Sequence, residues 1–190
     1  MTYDPKKAAQ LIARFIQKSG GNSINVLKAV KLVYLADRES IGRYGFPILD
    51  ETRVSMPHGP VNSTTYSHIN GEYDLGACGW ADYLEDKEHH QIALANTALT
   101  VDDLEELSDA DLECVDAVWE RFGVMNQWEL RDWTHNPKNI PEWEDPNGAS
   151  NPIPLIRIMT ALGMENAKEL ADEVHDYRTI DRVFLAVRVH

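Results

Sequence analysis

The stretch KLVYLADRESIGRYGFPILDETRVSMPHGP, residues 31–60, decides the fold of this chain. Residues 32–36 predict a helix segment that is apolar on most of its sides. A helix of this kind lies at the centre of a hydrophobic core. A turn at residues 45–47 ends this helix, and residues 51–56 alternate loosely between apolar and polar side chains, which favours a short strand. The Gly-Pro pair that closes the stretch predicts the start of another helix, residues 59–70.

The segments on either side carry further helical and strand patterns. Asp4 is expected to cap the first helix and Ser23 the central one. The final run, residues 183–190, also fits a strand, but its i, i+3, i+4, i+7 spacing favours a helix. Helices are predicted over about residues 5–19, 23–43, 108–122, 126–135, 151–162, 167–174 and 180–187, a β-hairpin over residues 80–94, and a loop over residues 136–150. The predicted fold class is mainly α (α+β): a single helical domain spanning residues 1–190 with a small antiparallel β-sheet or hairpin.

Charge is distributed unevenly along the chain. The whole chain has 31 acidic and 18 basic residues and a net charge of −13, yet residues 1–50 have a net charge of +4 and residues 72–120 a net charge of −14. The acidic segment repels nucleic-acid phosphates, so we expect no direct nucleic-acid partner. It is suited either to steering a basic protein partner or to solvating a helix surface and a loop.

The chain carries no pattern for export or for membrane insertion. Its N-terminus lacks the apolar segment and the small-residue cleavage site of a signal peptide. No apolar run approaches the roughly 18 residues that a membrane-spanning helix requires. Cys78 and Cys114 form no CxxC pair and are expected to be reduced small residues. We therefore expect a cytoplasmic protein with no membrane partner.

No motif for catalysis or for cofactor or metal binding is present. The seven histidines are scattered, and neither an HExxH motif nor a cysteine pair accompanies them. Cys78 in the stretch GACGW is a conceivable nucleophile, but small residues beside a strand usually mark a tight turn. We expect no enzymatic activity, no cofactor and no metal site, and a histidine- or metal-dependent hydrolase is the lesser alternative.

Tryptophans gather in one part of the sequence. Trp128, Trp133 and Trp143 lie within sixteen residues that also contain His135. Such a cluster is either the edge of a core, pinned by a folded-back loop, or a surface that binds another protein, because tryptophan dominates interface hot spots. The sequence favours the structural role and leaves the binding role open.

An ordered set of short motifs resembles the Panacea family of antitoxins, which includes SocA-like antitoxins and phage-associated GepA-like proteins. The family pattern is a helix reading K-L-x-Y-x-A-[DE], a Gly-x-Pro-[IL] turn, a strand, Gly-Pro-Val with a tyrosine about five residues later, and a Thr-His pair followed by Pro-Glu-Trp. Here the corresponding residues are 31–37, 45–48, 59–61, Tyr66, 134–135 and 141–143. The resemblance covers about residues 5–145, and the predicted C-terminal helices, residues 151–190, lie beyond it.

The resemblance implies a helical antitoxin that neutralises a cognate toxin protein by direct binding. In the SocA branch of the family, the antitoxin also delivers the toxin to a bacterial ATP-dependent protease. A phage-associated protein that binds or regulates a host target is the alternative. The sequence leaves the oligomeric state open. The candidate partner-binding residues are Tyr34, Asp37, Arg38, His58, Tyr66, Trp128, Trp133, His135 and Trp143.

Overall fold

Helix α2 (Val26–Tyr44) lies at the centre of the computed structural model, which describes residues 3–73 and 78–188. Its residues 29–37 are buried without interruption, as the apolar run predicted. The other helices are α1 (Pro5–Ser19), α3 (Ser63–Ile69), α4 (Asp109–Phe122), α5 (Gln127–Thr134), α6 (Leu155–Ala161) and α7 (Ala167–Arg188). The strands are β1 (Ser23–Asn25), β2 (Arg53–Met56), β3 (Gly59–Asn62), β4 (Gln91–Ala93) and β5 (Asn151–Ile153). The mainly α (α+β) fold class is confirmed.

Asparagine and aspartate side chains cap the first two helices. Asp4 Oδ1 accepts a hydrogen bond from the backbone N–H of Lys6 at 2.8 Å, which confirms the predicted cap of α1. The predicted cap of α2 is wrong, because Asn25 Oδ1 accepts from the N–H of Leu27 at 3.0 Å. Ser23 instead begins strand β1, whose backbone pairs with β4.

Capping boxes begin α4 and α5 where the sequence predicted helix starts. In α4 the Ser108 hydroxyl accepts from the N–H of Asp111, and the Asp111 carboxylate accepts from the N–H of Ser108 in return. Asn126 and Glu129 make the same exchange at the start of α5. These reciprocal bonds fix both helix starts through local sequence alone.

The larger sheet is antiparallel, with the strand order β3–β2–β5. Because Gly59 lies in β3, the helix start predicted there is wrong, and α3 begins only at Ser63. Gly59 has a φ of +90°, which favours glycine, and it turns the chain from β2 into β3. Pro60 is tolerated because β3 is an edge strand of this sheet. The predicted strand over residues 51–56 is confirmed at β2.

Strand β5 accounts for another shifted boundary. The helix predicted over residues 151–162 starts too early, because Asn151 pairs with Ser55 on the open side of β2 and Ile153 pairs with Arg53. Helix α6 therefore begins four residues later, at Leu155. The pattern of apolar residues after Asn151 does not reveal this pairing, because the partner strand is about one hundred residues away in sequence.

The predicted hairpin over residues 80–94 forms in part, as an irregular antiparallel pairing. Only β4 forms a strand there, and its partner is β1, with Ile24 opposite Ile92. The two arms of the hairpin are joined by isolated bridges, Leu84 with Leu94 and Glu88 with Gln91, and by backbone hydrogen bonds such as that from Glu85 N–H to the Ala93 carbonyl oxygen at 3.0 Å. The chain around Trp80 folds as turns because that side chain is almost fully buried against His68, with 5.2 Å between ring centroids.

Two clusters of buried apolar side chains hold the helices together. The main cluster surrounds α1, α2 and α4, and the second is smaller and consists of Ile41, Ile153, Ile158, Met159, Ala167 and Val174. Helix α7 joins the second cluster through Ala167 and Val174 of its first half, and it merges the two helices predicted after residue 167. The final run is helical up to Arg188, and residues 189–190 lie outside the described residues. An exposed α7 stripe follows, defined by Tyr177, Ile180, Val183 and Phe184.

The charge asymmetry of the sequence is partly neutralised inside the fold. Basic side chains of α1 meet acidic side chains from the segment 72–120, at 2.5 to 3.2 Å. The pairs are Lys6 with Glu105 and Glu106, Lys7 with Asp111, and Arg14 and Lys18 with Asp116. One basic partner of the acidic segment is therefore the protein's own first helix.

Among the described residues, no helix combines the length and the apolar character that crossing a membrane requires.

Candidate functional site

An ionic layer lies between α2 and the larger sheet and is centred on Asp37. The Asp37 Oδ2 atom accepts hydrogen bonds from Arg53 Nη2 at 2.6 Å and Nε at 3.0 Å, and from Asn62 Nδ2 at 2.8 Å. Its Oδ1 atom accepts the backbone N–H of Leu49 at 2.9 Å. Asp37 and Arg53 are both almost fully buried, so their pairing offsets the cost of removing two charges from water.

Glu51 extends the ionic layer toward α3. Its Oε1 atom accepts the Thr65 hydroxyl at 2.5 Å and Asn62 Nδ2 at 3.2 Å, and its Oε2 atom accepts the Thr65 backbone N–H at 2.8 Å. Burial raises the pKa of Glu51, while the two hydrogen bonds from Thr65 oppose that rise. Asn62 therefore bridges two acidic groups and fixes the junction between β3 and α3.

Glu142 connects α2 to the loop after α5. Its Oε1 atom accepts the Tyr34 hydroxyl at 2.7 Å and Arg38 Nε at 2.6 Å, and its Oε2 atom accepts Arg38 Nη2 at 3.3 Å. Burial first, and the negative charge of Glu142 second, raise the pKa of Tyr34 well above its usual range. The ionic layer is defined as Tyr34, Asp37, Arg38, Glu51, Arg53, Asn62, Thr65 and Glu142.

The β2–β3 turn forms the surface directly above this layer. Trp143 Nε1 donates a hydrogen bond to the carbonyl oxygen of Met56 at 3.1 Å, which ties the loop after α5 to the turn. The His135 ring packs on Trp143 with 4.2 Å between ring centroids. His58, at the tip of the turn, and His135 are both exposed. The turn and the end of α5 therefore form one continuous face.

A second exposed feature lies at the start of α5 and in the turn that precedes it. Trp128 is 55% exposed and Val124 is 92% exposed, although both are apolar. The guanidinium of Arg131 lies 5.1 Å from the centroid of the Trp128 ring. A stacked arginine and tryptophan is the side-chain combination that hot spots of protein interfaces favour.

The predicted site residues divide by exposure. Tyr34, Asp37 and Trp143 are buried, so they position their neighbours and offer no surface themselves. His58, Trp128 and His135 are exposed, and Arg38, Tyr66 and Trp133 are half-buried. The partner-binding role of these residues stays a prediction. The fold brings Tyr34 and Arg38 together at Glu142, and it packs His135 on Trp143. The Trp133 ring packs on Phe122 of α4 instead, and Trp128 lies at the other end of α5.

Sequence reasoning missed four members of the ionic layer: Glu51, Arg53, Asn62 and Thr65. The one available signal was Arg53, a basic residue inside a strand with two buried faces, since a buried arginine requires an acidic partner. Glu142 was noted only as part of a Pro-Glu-Trp motif. Its bond to Tyr34 joins residues 108 positions apart in sequence.

The histidine, cysteine and acidic side chains that a metal site would use do not cluster among the described residues. In residues 3–73 and 78–188, no three His, Cys, Asp or Glu side chains gather as a metal site would need. Cys114 is buried, and burial raises the pKa of its thiol to about 11. Cys78 is half-buried, and Gly76 and Ala77 of its GACGW stretch lie outside the described residues.

Comparison with known proteins adds one match. A family model described as "Antitoxin SocA-like, Panacea domain" matches residues 30–144, more than half of the chain. A comparison with curated proteins found no match, and a comparison with solved structures found none either. The matched span begins in α2 and contains every member of the ionic layer, the β2–β3 turn and α5.

Proposed function

We propose that this chain, which belongs to the family of SocA-like antitoxins with a Panacea domain, neutralises a toxin protein by binding it directly. The observation that carries the proposal is the family match over residues 30–144, which supports an antitoxin-type role. Direct blockade requires only a complementary surface on a rigid domain. The ionic layer supplies that rigidity, because its charged groups are paired in one arrangement.

The start of α5 is the part of the matched span best suited to anchor the toxin. Val124 and Trp128 expose apolar surface that costs free energy in water, and a partner that covers them recovers it. Arg131 stacks on Trp128 and adds a charged donor at the edge of the same patch. His58 and His135 then lie at the rim, where contacts contribute specificity more than affinity.

Co-expression with each neighbouring gene product that arrests growth tests the proposal. We expect one such product to be neutralised and to co-purify with this protein. Trp128→Ala should weaken that complex by about thirty-fold or more, because truncating a hot-spot aromatic costs about 2 kcal/mol or more. Tyr177→Ala is the matched control, since Tyr177 is a similarly exposed aromatic outside the matched span.

The outcomes separate the alternatives. Growth rescue in cells that lack the ATP-dependent protease supports blockade, whereas rescue and toxin loss that both require the protease support the adapter mechanism. If no neighbouring product is neutralised and a host protein co-purifies instead, the antitoxin proposal is wrong and the phage-associated regulatory reading replaces it. Equal loss of binding in Trp128→Ala and Tyr177→Ala would contradict the placement of the anchor at α5.

A further inference from the structure

A cleft of about 540 Å³ opens beside the β2–β3 turn, between the first turns of α2, helix α3 and residues 148–150. Its volume lies in the range of pockets that hold small molecules or a short chain end. The lining is mostly apolar: Leu27, Val30, Met56, Pro57, Val61, Tyr66 and Ala149. Lys31, His58 and Ser150 supply the polar side chains of the lining.

Lys31 is the unusual member of this lining. Its side chain is only 1% exposed, and its Nζ atom makes one hydrogen bond in the described structure, to the carbonyl oxygen of Pro60 at 2.9 Å. No carboxylate of the described residues lies within ion-pairing distance, in contrast to Arg53 and Arg38 of the ionic layer. An ammonium group has three donors, so two of them lack an acceptor among the residues that the structure describes.

Gly59 keeps the space around this ammonium open. A Cβ atom at Gly59 would lie 3.1 Å from Lys31 Nζ and 3.2 Å from Thr134 Oγ1, closer than ordinary contacts. The residue also has a φ of +90°, so any side chain there would be strained. Lys31 and Gly59 come from two separate pieces of the motif set, and they meet at this cleft.

We propose that the cleft binds an apolar carboxylic acid whose carboxylate accepts hydrogen bonds from Lys31 Nζ and whose apolar part lies along Leu27, Val30 and Val61. The acid is either a free small molecule or the C-terminal carboxylate of a partner chain, since both present the same group. A single ammonium matches the one charge of a carboxylate, whereas a phosphate dianion carries twice the charge of Lys31, which is the one lysine or arginine among the described residues of the lining.

The protonation state of Lys31 provides a readout of this site. Burial lowers the pKa of Lys31 to about 7, because the cleft offers the ammonium no counter-charge. A bound carboxylate stabilises the charged form and raises that pKa, so binding takes up a proton. His58 and Tyr66 are the other titratable groups of the lining.

Octanoate is the probe, with 1-octanol as the matched control that lacks the carboxylate. We expect octanoate to bind the full chain at least about ten-fold more tightly than 1-octanol, as hydrogen bonds to a charged group predict. Lys31→Met should remove that difference, while the thermal unfolding transition verifies that the variant is folded. Equal binding of both probes to the unaltered protein would overturn the proposal.

A second measurement tests the proposal without a substitution at Lys31. Calorimetry in buffers of different ionisation enthalpy should record uptake of roughly half a proton or more per octanoate at about pH 7.5. His58→Gln should leave this uptake in place, because the proton goes to Lys31. Octanoate binding without proton uptake, or uptake that disappears in His58→Gln, would contradict the assignment to Lys31.

Peptides distinguish the two sources of the acid. A short peptide that ends in Leu-Leu with a free carboxylate should bind more tightly than its C-terminal amide if a chain end fits the cleft. If octanoate binds and neither peptide does, the natural ligand is a free small acid. Toxin neutralisation is measured separately by growth rescue, so failure here leaves the antitoxin proposal standing.

Discussion

The ionic layer and the α7 stripe place charged and apolar side chains in opposite ways. The ionic layer buries charges beneath the β2–β3 turn and pairs them, whereas the α7 stripe exposes apolar side chains such as Phe184, which is 66% exposed. The ionic layer lies wholly within the matched span, and α7 lies outside it. The difference indicates that the central part of the chain depends on one arrangement of paired charges, while the described contacts of α7 are apolar packing of its first half, a ring contact of Tyr177 with Phe46 and an ion pair of Arg178 with Asp50.

The largest effect should come from breaking the pair at the centre of the ionic layer. Arg53→Met leaves Asp37 buried without its counter-charge, so we expect the free energy of unfolding to fall by about 3–5 kcal/mol. Denaturant unfolding measures the change. Arg43→Met is the matched control: Arg43 pairs with Glu39 on the surface, and we expect a change of about 0.5 kcal/mol or less. Similar losses in the two variants would mean that the layer is not a stabilising feature.

Lys31 contrasts with the ionic layer, because its buried side chain has no acidic partner among the described residues. Its pKa is about 7 in the folded protein and 10.5 in the unfolded chain, so between these values the unfolded chain binds more protons. The contribution of Lys31 to the free energy of unfolding therefore rises with pH, by at most about 1.4 kcal/mol per pH unit.

Unfolding curves of the unaltered protein and of Lys31→Met, recorded between about pH 7 and pH 9, measure this dependence. As pH rises, the free energy of unfolding of the unaltered protein should increase relative to that of Lys31→Met. A difference that stays constant, or moves the other way, would show that Lys31 keeps its charge in the fold.

The same substitution in the two apolar clusters compares their packing. Val118 in the main cluster and Val174 in the second are both buried. We expect Val118→Ala to cost about 2–3 kcal/mol and Val174→Ala only about 1 kcal/mol, because the cost depends on how far the surroundings collapse. Val174 lines a cleft of about 650 Å³, so its neighbours are free to move inward. Equal losses of stability in the two variants, measured by thermal unfolding, would mean that the two clusters are packed equally tightly.

The smallest effect should come from the α7 stripe itself. Phe184→Ser removes an exposed apolar side chain, so the free energy of unfolding should change by about 0.5 kcal/mol or less. Phe15→Ser is the contrasting variant, because Phe15 is fully buried in the main cluster and its loss should cost about 3 kcal/mol or more. A clear loss of stability in Phe184→Ser would mean that the stripe packs against part of the chain.

Local chemistry explains which elements the sequence predicted correctly. The apolar run of α2, the Asp4 cap and the capping boxes at Ser108 and Asn126 act within a few residues, so the pattern alone fixes them. The misplaced boundaries share one cause. Ser23, Gly59 and Asn151 each begin a strand, and the strand partner of Ser23 and of Asn151 lies far away in the sequence.

By itself, the sequence determined a mainly helical fold built on α2 and an antitoxin-type family, and it named candidate partner-binding residues. Tertiary structure decided which of those residues lie inside and which outside: Asp37 meets Arg53 in the interior, while Trp128 remains exposed. It also turned the acidic segment partly toward α1, where Asp116 pairs with Arg14 and Lys18. The physical reason is that capping and helical periodicity act over a few residues, whereas ion pairing and burial depend on distances in space between residues far apart in the chain.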